Sequence, residues 1–278
     1  MTDIIKIKKW IDDADVILIG AGAGLSDADG IHYSGEKFET DFKDFIKKYG
    51  ITDLYTSSFY PFKSEEERWA YWAKHIYFSY YEVMHTRLYS KLYDLVKDKD
   101  YFVITTNVDG QFINNGFSKD KVFEVQGSYA KLQCSKPCHN KLYDNHGMVK
   151  KMLTSIDEDL KIPTELVPKC PVCHENMSVN LRCDDTFVED DNWHKLNKNY
   201  NDFLKNISDK SVLLLEFGVG FNTPGIIRFP FEEMTFLHDN FKLIRFNSEY
   251  PMVSREIGDR SISVSDNIEE VIDLVQKL

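Results

Sequence analysis

Val16-Ile17-Leu18-Ile19 runs without a linker into Gly20-Ala21-Gly22-Ala23-Gly24-Leu25-Ser26. A short apolar run followed at once by alternating glycines reads as a buried strand entering a tight turn. A helix opening near Ser26 would then aim its free N–H groups at an anion, and a dinucleotide pyrophosphate fits such a turn. The acidic ribose ligand usual about twenty residues further on is not obvious.

The next strand works outward from this turn. Tyr101-Phe102-Val103-Ile104-Thr105 is continuous, apolar and β-branched, as a buried parallel strand should be, and it delivers Asn107 and Asp109 to its carboxyl end. In an open α/β sheet ligands sit at that edge. Further parallel strands are predicted at 121–125, 211–217 and 242–246. Ile4, Ile7, Trp10 and Ile11 predict a helix over 3–13, and Ile268, Val271, Ile272 and Val275 one over 266–277. The alternation predicts a doubly wound, Rossmann-like α/β parallel sheet built from 1–37, 98–130 and 207–278. A helical insertion is expected over 38–97, where Ser64 and Glu67 form a capping box and Trp69, Trp72 and Ile76 share one helix face. Tyr55, Phe59, Tyr60 and Phe62, ahead of that helix, read as core packing, with an apolar channel as the other reading.

A second insertion, 131–206, carries four of the five cysteines: Cys134-x3-Cys138 and Cys170-Pro-Val-Cys173. Two thiol pairs on short turns suit a closed, tetrahedral, structural zinc site. His139 and His174 each follow a motif cysteine and could replace a thiolate; Cys183 reads as a plain buried thiol. A disulfide framework is the competing reading, and it lacks support: charged residues begin at Asp3 and recur from Lys6, and no apolar stretch reaches signal or membrane length. The expectation is a cytoplasmic protein. With 278 residues, 42% of them apolar, the chain can form a sizeable core of its own. Its net charge of −11 argues against non-specific binding to nucleic acid or to an anionic membrane, both of which need basic patches.

With Gly22-Ala23-Gly24-Leu25-Ser26, Thr105-Thr106-Asn107-Val108-Asp109 and Glu124-Val125-Gln126-Gly127-Ser128 in this order, the chain resembles the sirtuin family of NAD-consuming enzymes. Met84-His85 with Leu88 and Leu92, Gly218-Val219-Gly220 with Asn222-Thr223-Pro224, and Asn247 extend the resemblance over nearly the whole sequence. It implies that Gly22, Ala23, Gly24, Ser26 and Asp27 hold the pyrophosphate of NAD, that Gly218, Val219 and Asn247 hold the adenosine half, and that Asn107, Asp109 and Gln126 surround the nicotinamide ribose as the catalytic set.

The departures from the family pattern bear on the reaction. Sirtuin deacylases carry a general-base histidine at the position of Gln126, a glutamine at Thr106, and a Pro-x-Phe-Arg stretch where this chain has His32-Tyr33-Ser34-Gly35. The family's Phe-Gly-Glu clamp appears as Phe187-Val188-Glu189-Asp190, without the glycine and after Arg182-Cys183-Asp184-Asp185. Deacylation requires a ribose hydroxyl to lose its proton, and a glutamine cannot accept it. Loss of a general base costs about 10²–10⁴ in rate, whereas nicotinamide cleavage depends on positioning and dipoles and should survive. The glutamine resembles that of the macrodomain-linked sirtuins of microbial pathogens. That subgroup implies protein mono-ADP-ribosyltransferase activity on a lipoylated glycine-cleavage-H-like carrier protein, with a macrodomain hydrolase as a further partner. A lysine deacylase, an NAD hydrolase and a non-enzymatic NAD or ADP-ribose sensor are the alternatives.

Overall fold

A computed structural model of the chain describes residues 3–278. They form two compact units. The first comprises residues up to Asp29, His85–Gln126 and Asn192–Leu278; the second comprises Gly30–Met84 and Gly127–Asp191. Nine strands occur among the described residues: β1 (Val16–Ala21), β2 (Asp100–Thr105), β3 (Val122–Glu124), β4 (Gly127–Cys134), β5 (Tyr143–Asp144), β6 (Met177–Leu181), β7 (Val212–Phe217), β8 (Phe241–Phe246) and β9 (Ser261–Val264).

The first unit is built on a parallel sheet of order β3-β2-β1-β7-β8-β9. Its inner strands β1 and β7 are buried along their whole length, and alternate side chains enter two separate cores. Ile17, Ile19 and Ala21 of β1 join one core, with Trp10 of the helix Ile4–Asp13, Leu88 and Leu92 of the helix Arg87–Val96, and Ile272 of the helix Ile268–Gln276. Val16 and Leu18 join the other, with Leu196 of the helix Asp191–Lys205 and Phe231 of the helix Arg228–Leu237. Helices therefore cover both faces, as the doubly wound reading requires. The strand order reverses beside β1, which places a topological switch point at the carboxyl ends of β1 and β7.

The second unit carries an antiparallel sheet of order β5-β4-β6. Its longest helix, Glu65–Ile76, is capped by the Ser64 hydroxyl accepting the Glu67 N–H, as expected, and buries Trp69, Trp72 and Ile76. Of the four rings ahead of that helix, Tyr60 and Phe62 pack with Tyr49, whereas Tyr55 and Phe59 are more than half exposed.

The unit boundaries differ from the division at 38–97 and 131–206. The helix Arg87–Val96 belongs with the parallel sheet because Leu88, Leu92 and Val96 complete its core, and the helix from Asp191 belongs there through Leu196 and Tyr200. Residues 30–37 fall in the second unit. No helix among the described residues is long and apolar enough to cross a membrane.

Candidate active site and cysteine cluster

The last residues of five strands stand in one line across the parallel sheet. Glu124 pairs with Thr105, Thr105 with Ala21, Ala21 with Phe217, and Phe217 with Phe246. Gln126, Asn107, Gly22, Gly218 and Asn247 each follow this line by one or two residues. Residues far apart in sequence thus converge because equal register ends the strands together.

The glycines of the first turn make room chiefly for another strand end rather than for a ligand alone. A methyl group on Gly24 would stand 2.8 Å from the Gly218 Cα, and one on Gly22 would stand 2.8 Å from the Gly218 carbonyl oxygen. Gly218 has φ +58°, and a methyl there would come within 2.3 Å of the Leu25 nitrogen. The Gly22 N–H donates to Phe217 O and the Gly24 N–H to Gly218 O, both at 3.0 Å. The β1 and β7 turns are therefore interlocked through their backbones. Ala23, Gly24 and Asp27 remain exposed, while Gly22 and Ser26 are buried.

Beneath the turn lies a buried polar network. Ser26 Oγ donates to Asp109 Oδ2 at 2.6 Å and lies 2.8 Å from Tyr89 Oη. Asn107 Nδ2 faces Gly22 O at 3.0 Å, Ser26 Oγ at 3.1 Å and Tyr89 Oη at 3.2 Å. Asp109 Oδ1 accepts the Gln111 N–H at 3.1 Å. Burial raises the Asp109 pKa, and the Ser26 and Gln111 donors oppose that rise. Both carboxylate oxygens are occupied by donors, so Asp109 orients its neighbours from within the protein. Asn107 Oδ1 accepts from no group among the described residues. Tyr89 was missed in the sequence because it sits on the apolar stripe of its helix and reads as a core ring.

Gln126 occupies the turn after β3, half-buried, and its side chain has no hydrogen-bond partner among the described residues. Gly127 beside it has φ +97° and lies against the backbone of Asn180, so a side chain there would collide with the Asn180 carbonyl. Asn247 is occupied by its own loop: Nδ2 donates to Val219 O at 3.0 Å, and Oδ1 accepts from Glu249 and Tyr250 N–H at 3.1 and 2.8 Å. The carboxyl ends of β7 and β8 are further tied by a buried ion pair. Arg245 is bidentate on Glu216, at 2.7 and 2.9 Å, and also reaches Glu232 and Met252 O. Burial raises the Glu216 pKa against the opposing pull of Arg245.

In the second unit the four expected cysteines converge, with all four Sγ atoms within 4.8 Å of one another. Cys134 and Cys173 stand 3.5 Å apart, and Cys138 and Cys170 3.6 Å. Tetrahedral thiolates at ordinary zinc–sulfur distances are separated by about 3.8 Å, so the cluster fits a zinc ion. Burial disfavours the Cys170 thiolate, but the N–H groups of Cys173 and Val172 and the thiol neighbours bring its pKa down to about 6. The His139 ring lies beside the cluster, with Nδ1 3.0 Å from Cys138 Sγ and Nε2 2.9 Å from Tyr143 Oη. His174 has φ +61° and closes the Cys170–Cys173 turn through its N–H to Cys170 O. Cys183, expected to be buried, is exposed, since it lies in the loop beyond the end of β6 rather than on the strand. Arg182 pairs with Glu189 at 2.5 Å and lies over the Phe187 ring.

The Sir2 family model matches residues 22–214. A protein ADP-ribosyltransferase of Staphylococcus aureus (strain Mu50 / ATCC 700699) is 37% identical over 267 residues, which is 96% of this chain and 84% of that protein. A probable bifunctional ADP-ribose hydrolase/ADP-ribosyltransferase of Fusarium oxysporum f. sp. cubense is 32% identical, over 92% of this chain and 44% of its own length. Among solved structures, a mutant Sir2 homologue in complex with ADP-ribose superposes with a TM-score of 0.57 at 14% identity, covering 100% of this chain and 96% of that one.

Proposed function

The chain belongs to the Sir2 family, and from that premise we propose that it cleaves the nicotinamide–ribose bond of NAD and transfers ADP-ribose to a protein. The observation that carries this reading is that an amide, Gln126, stands in the turn just past β3, at the carboxyl edge of the sheet where a deacylase needs a proton acceptor. The named activity of the Staphylococcus aureus relative supports it.

Ala23 and Gly24, with the exposed Asp27, line the pyrophosphate position at the switch point. Gly22 and Ser26 shape that turn from below. Gly218 and Val219 form the adenosine side, and Asn247 holds the Val219 carbonyl in place for it. At the nicotinamide ribose, Asn107 Oδ1 accepts a hydrogen bond from a ribose hydroxyl, the Asp109 carboxylate stabilises developing positive charge through space, and Gln126 orients the incoming nucleophile. The four thiolates of Cys134, Cys138, Cys170 and Cys173 hold zinc with no open position, which gives the metal a structural role.

The acceptor we propose is a lipoylated glycine-cleavage-H-like carrier protein in the cytoplasm. A macrodomain hydrolase that removes the modification is proposed as a partner, supported by the relative whose name joins a hydrolase to a transferase. The test is intact-mass analysis of lipoylated and unmodified carrier after incubation with the protein and NAD. Gain of one ADP-ribose on the lipoylated carrier alone is the expected result. NAD loss without a mass gain identifies a hydrolase, and turnover of an acyl-lysine peptide identifies a deacylase; either outcome overturns the reading.

A further inference from the structure

We propose that Tyr89 is a positioning residue whose buried hydroxyl, together with Ser26 and Gly22 O, locks the Asn107 carboxamide so that Oδ1 is the atom presented at the sheet edge. This rests on the role given to Asn107 above.

Hydrogen counting fixes the polarity of the network. Gly22 O can only accept, and the Asp109 carboxyl takes a donor on each oxygen, Ser26 on Oδ2 and the Gln111 N–H on Oδ1, as an ionised carboxylate does. Ser26 has one hydrogen, and its 2.6 Å contact assigns that hydrogen to Asp109. Tyr89 is then the donor in its 2.8 Å contact with Ser26, and its lone pairs face Asn107 Nδ2 at 3.2 Å. The two N–H bonds of Asn107 thus meet three acceptors: Gly22 O, Ser26 Oγ and Tyr89 Oη. Turning the amide over would set Oδ1 against Gly22 O and Ser26 Oγ, neither of which has a hydrogen to offer it, and these contacts fix the orientation. Burial, with Asp109 nearby, holds the Tyr89 pKa well above its ordinary value, so the hydroxyl keeps its proton.

Packing alone does not call for this hydroxyl. The Tyr89 ring meets Phe112 edge-on at 4.9 Å and fills the same core as Leu88 and Leu92, a task phenylalanine performs equally well. The position is nonetheless held by a dedicated contact. The Asp29 carboxylate accepts the N–H groups of Leu88 and Tyr89, at 3.0 and 3.2 Å, and so pins the start of the helix Arg87–Val96 to the end of the first turn's helix.

Tyr89→Phe keeps the ring and deletes the hydroxyl. Nicotinamide release at saturating NAD should fall about 3- to 10-fold, the worth of one buried hydrogen bond, with KM for NAD within about twofold. The Asn107 side-chain amide pair, identified in the NMR spectrum by its loss in Asn107→Ala, should exchange slowly in the unaltered protein and faster in Tyr89→Phe. An unchanged rate with unchanged exchange overturns the proposal, as does a rise in KM that accounts for the whole loss. If Tyr89→Phe fails to fold, fast exchange of that amide in the unaltered protein overturns it and slow exchange supports it. If the unaltered protein releases no nicotinamide, the catalytic reading fails, and the exchange measurement still decides whether Tyr89 locks Asn107.

Discussion

Gln126 occupies a turn where little of the fold depends on its side chain, since it is half-buried and has no hydrogen-bond partner among the described residues. Gln126→Ala should therefore melt within a few degrees of the parent, because truncations away from core and networks stay within about 0.5 kcal/mol. Transfer of ADP-ribose should fall roughly 10- to 100-fold through loss of nucleophile positioning. Parental transfer rates in that variant would remove Gln126 from the mechanism. His75 is the opposite case, a residue whose chemistry serves the fold. It is wholly buried between the Tyr71 and Tyr129 hydroxyls, each at 3.1 Å, and burial drives its pKa from 6.5 down to about 3. The unfolded chain binds the proton first, so the stabilisation is present above pH 6.5 and is lost as the pH falls from 6.5 towards 3. Between pH 7.5 and 5 this removes about 2 kcal/mol of unfolding free energy. Urea titrations at the two pH values should show that loss in the parent and its absence in His75→Gln; parallel slopes would mean that His75 is not held neutral.

The interlock of the β1 and β7 turns is the element on which the site geometry depends. Gly218→Ala places a methyl 2.3 Å from the Leu25 nitrogen at a φ of +58°, so both a collision and a strained backbone must be relieved. The expected destabilisation is about 2–4 kcal/mol, and ADP-ribose binding should weaken even where the variant folds. A melting temperature equal to the parent's would show that the two turns do not need their close approach. β1, β2, β7 and β8 of the parallel sheet were legible because each is a short apolar run, largely buried, and all four lie within a residue or two of their expected limits. β4, β5 and β6 were not read as a sheet. β5 has two residues and β6 five, too few to show a strand period, and the cysteine turns that separate β4, β5 and β6 carry none. β9 was missed for a related reason, since Ser261-Ile262-Ser263-Val264 is short and only half apolar. At the site, Gln126, Asn107 and the glycines were visible as motifs. The lock on Asn107 was hidden because Tyr89 joins it only through a contact across 18 residues, and Ser26 across 81.

At the scale of the molecule, the two units have unequal means of support. The first has two apolar cores, one on each face of six strands, and every residue proposed to touch NAD lies in it. The second has a three-stranded sheet with the cysteine pairs at its margins: Cys134 ends β4, and Cys170 and Cys173 precede β6, which pairs with β4 from Met177 onward. A metal there would tie together two turns that the protein itself joins through the pairing of Cys134 with Met177 and the Ser135 N–H to Asn176 O. Structural zinc contributes about 10–16 kcal/mol in small domains, as much as the whole stability of a typical one, so its removal should unfold the second unit's sheet. Native protein should contain one zinc per chain, and Cys170→Ser should abolish it. On chelation, amide hydrogen exchange should accelerate in β4 and β6 while β1 and β7 keep their protection, with ADP-ribose binding still measurable because the switch-point turns are intact. Exchange that accelerates equally in both sheets would show that the metal stabilises the chain as one cooperative body, and exchange that changes in neither would show that the cysteines hold the turns without it.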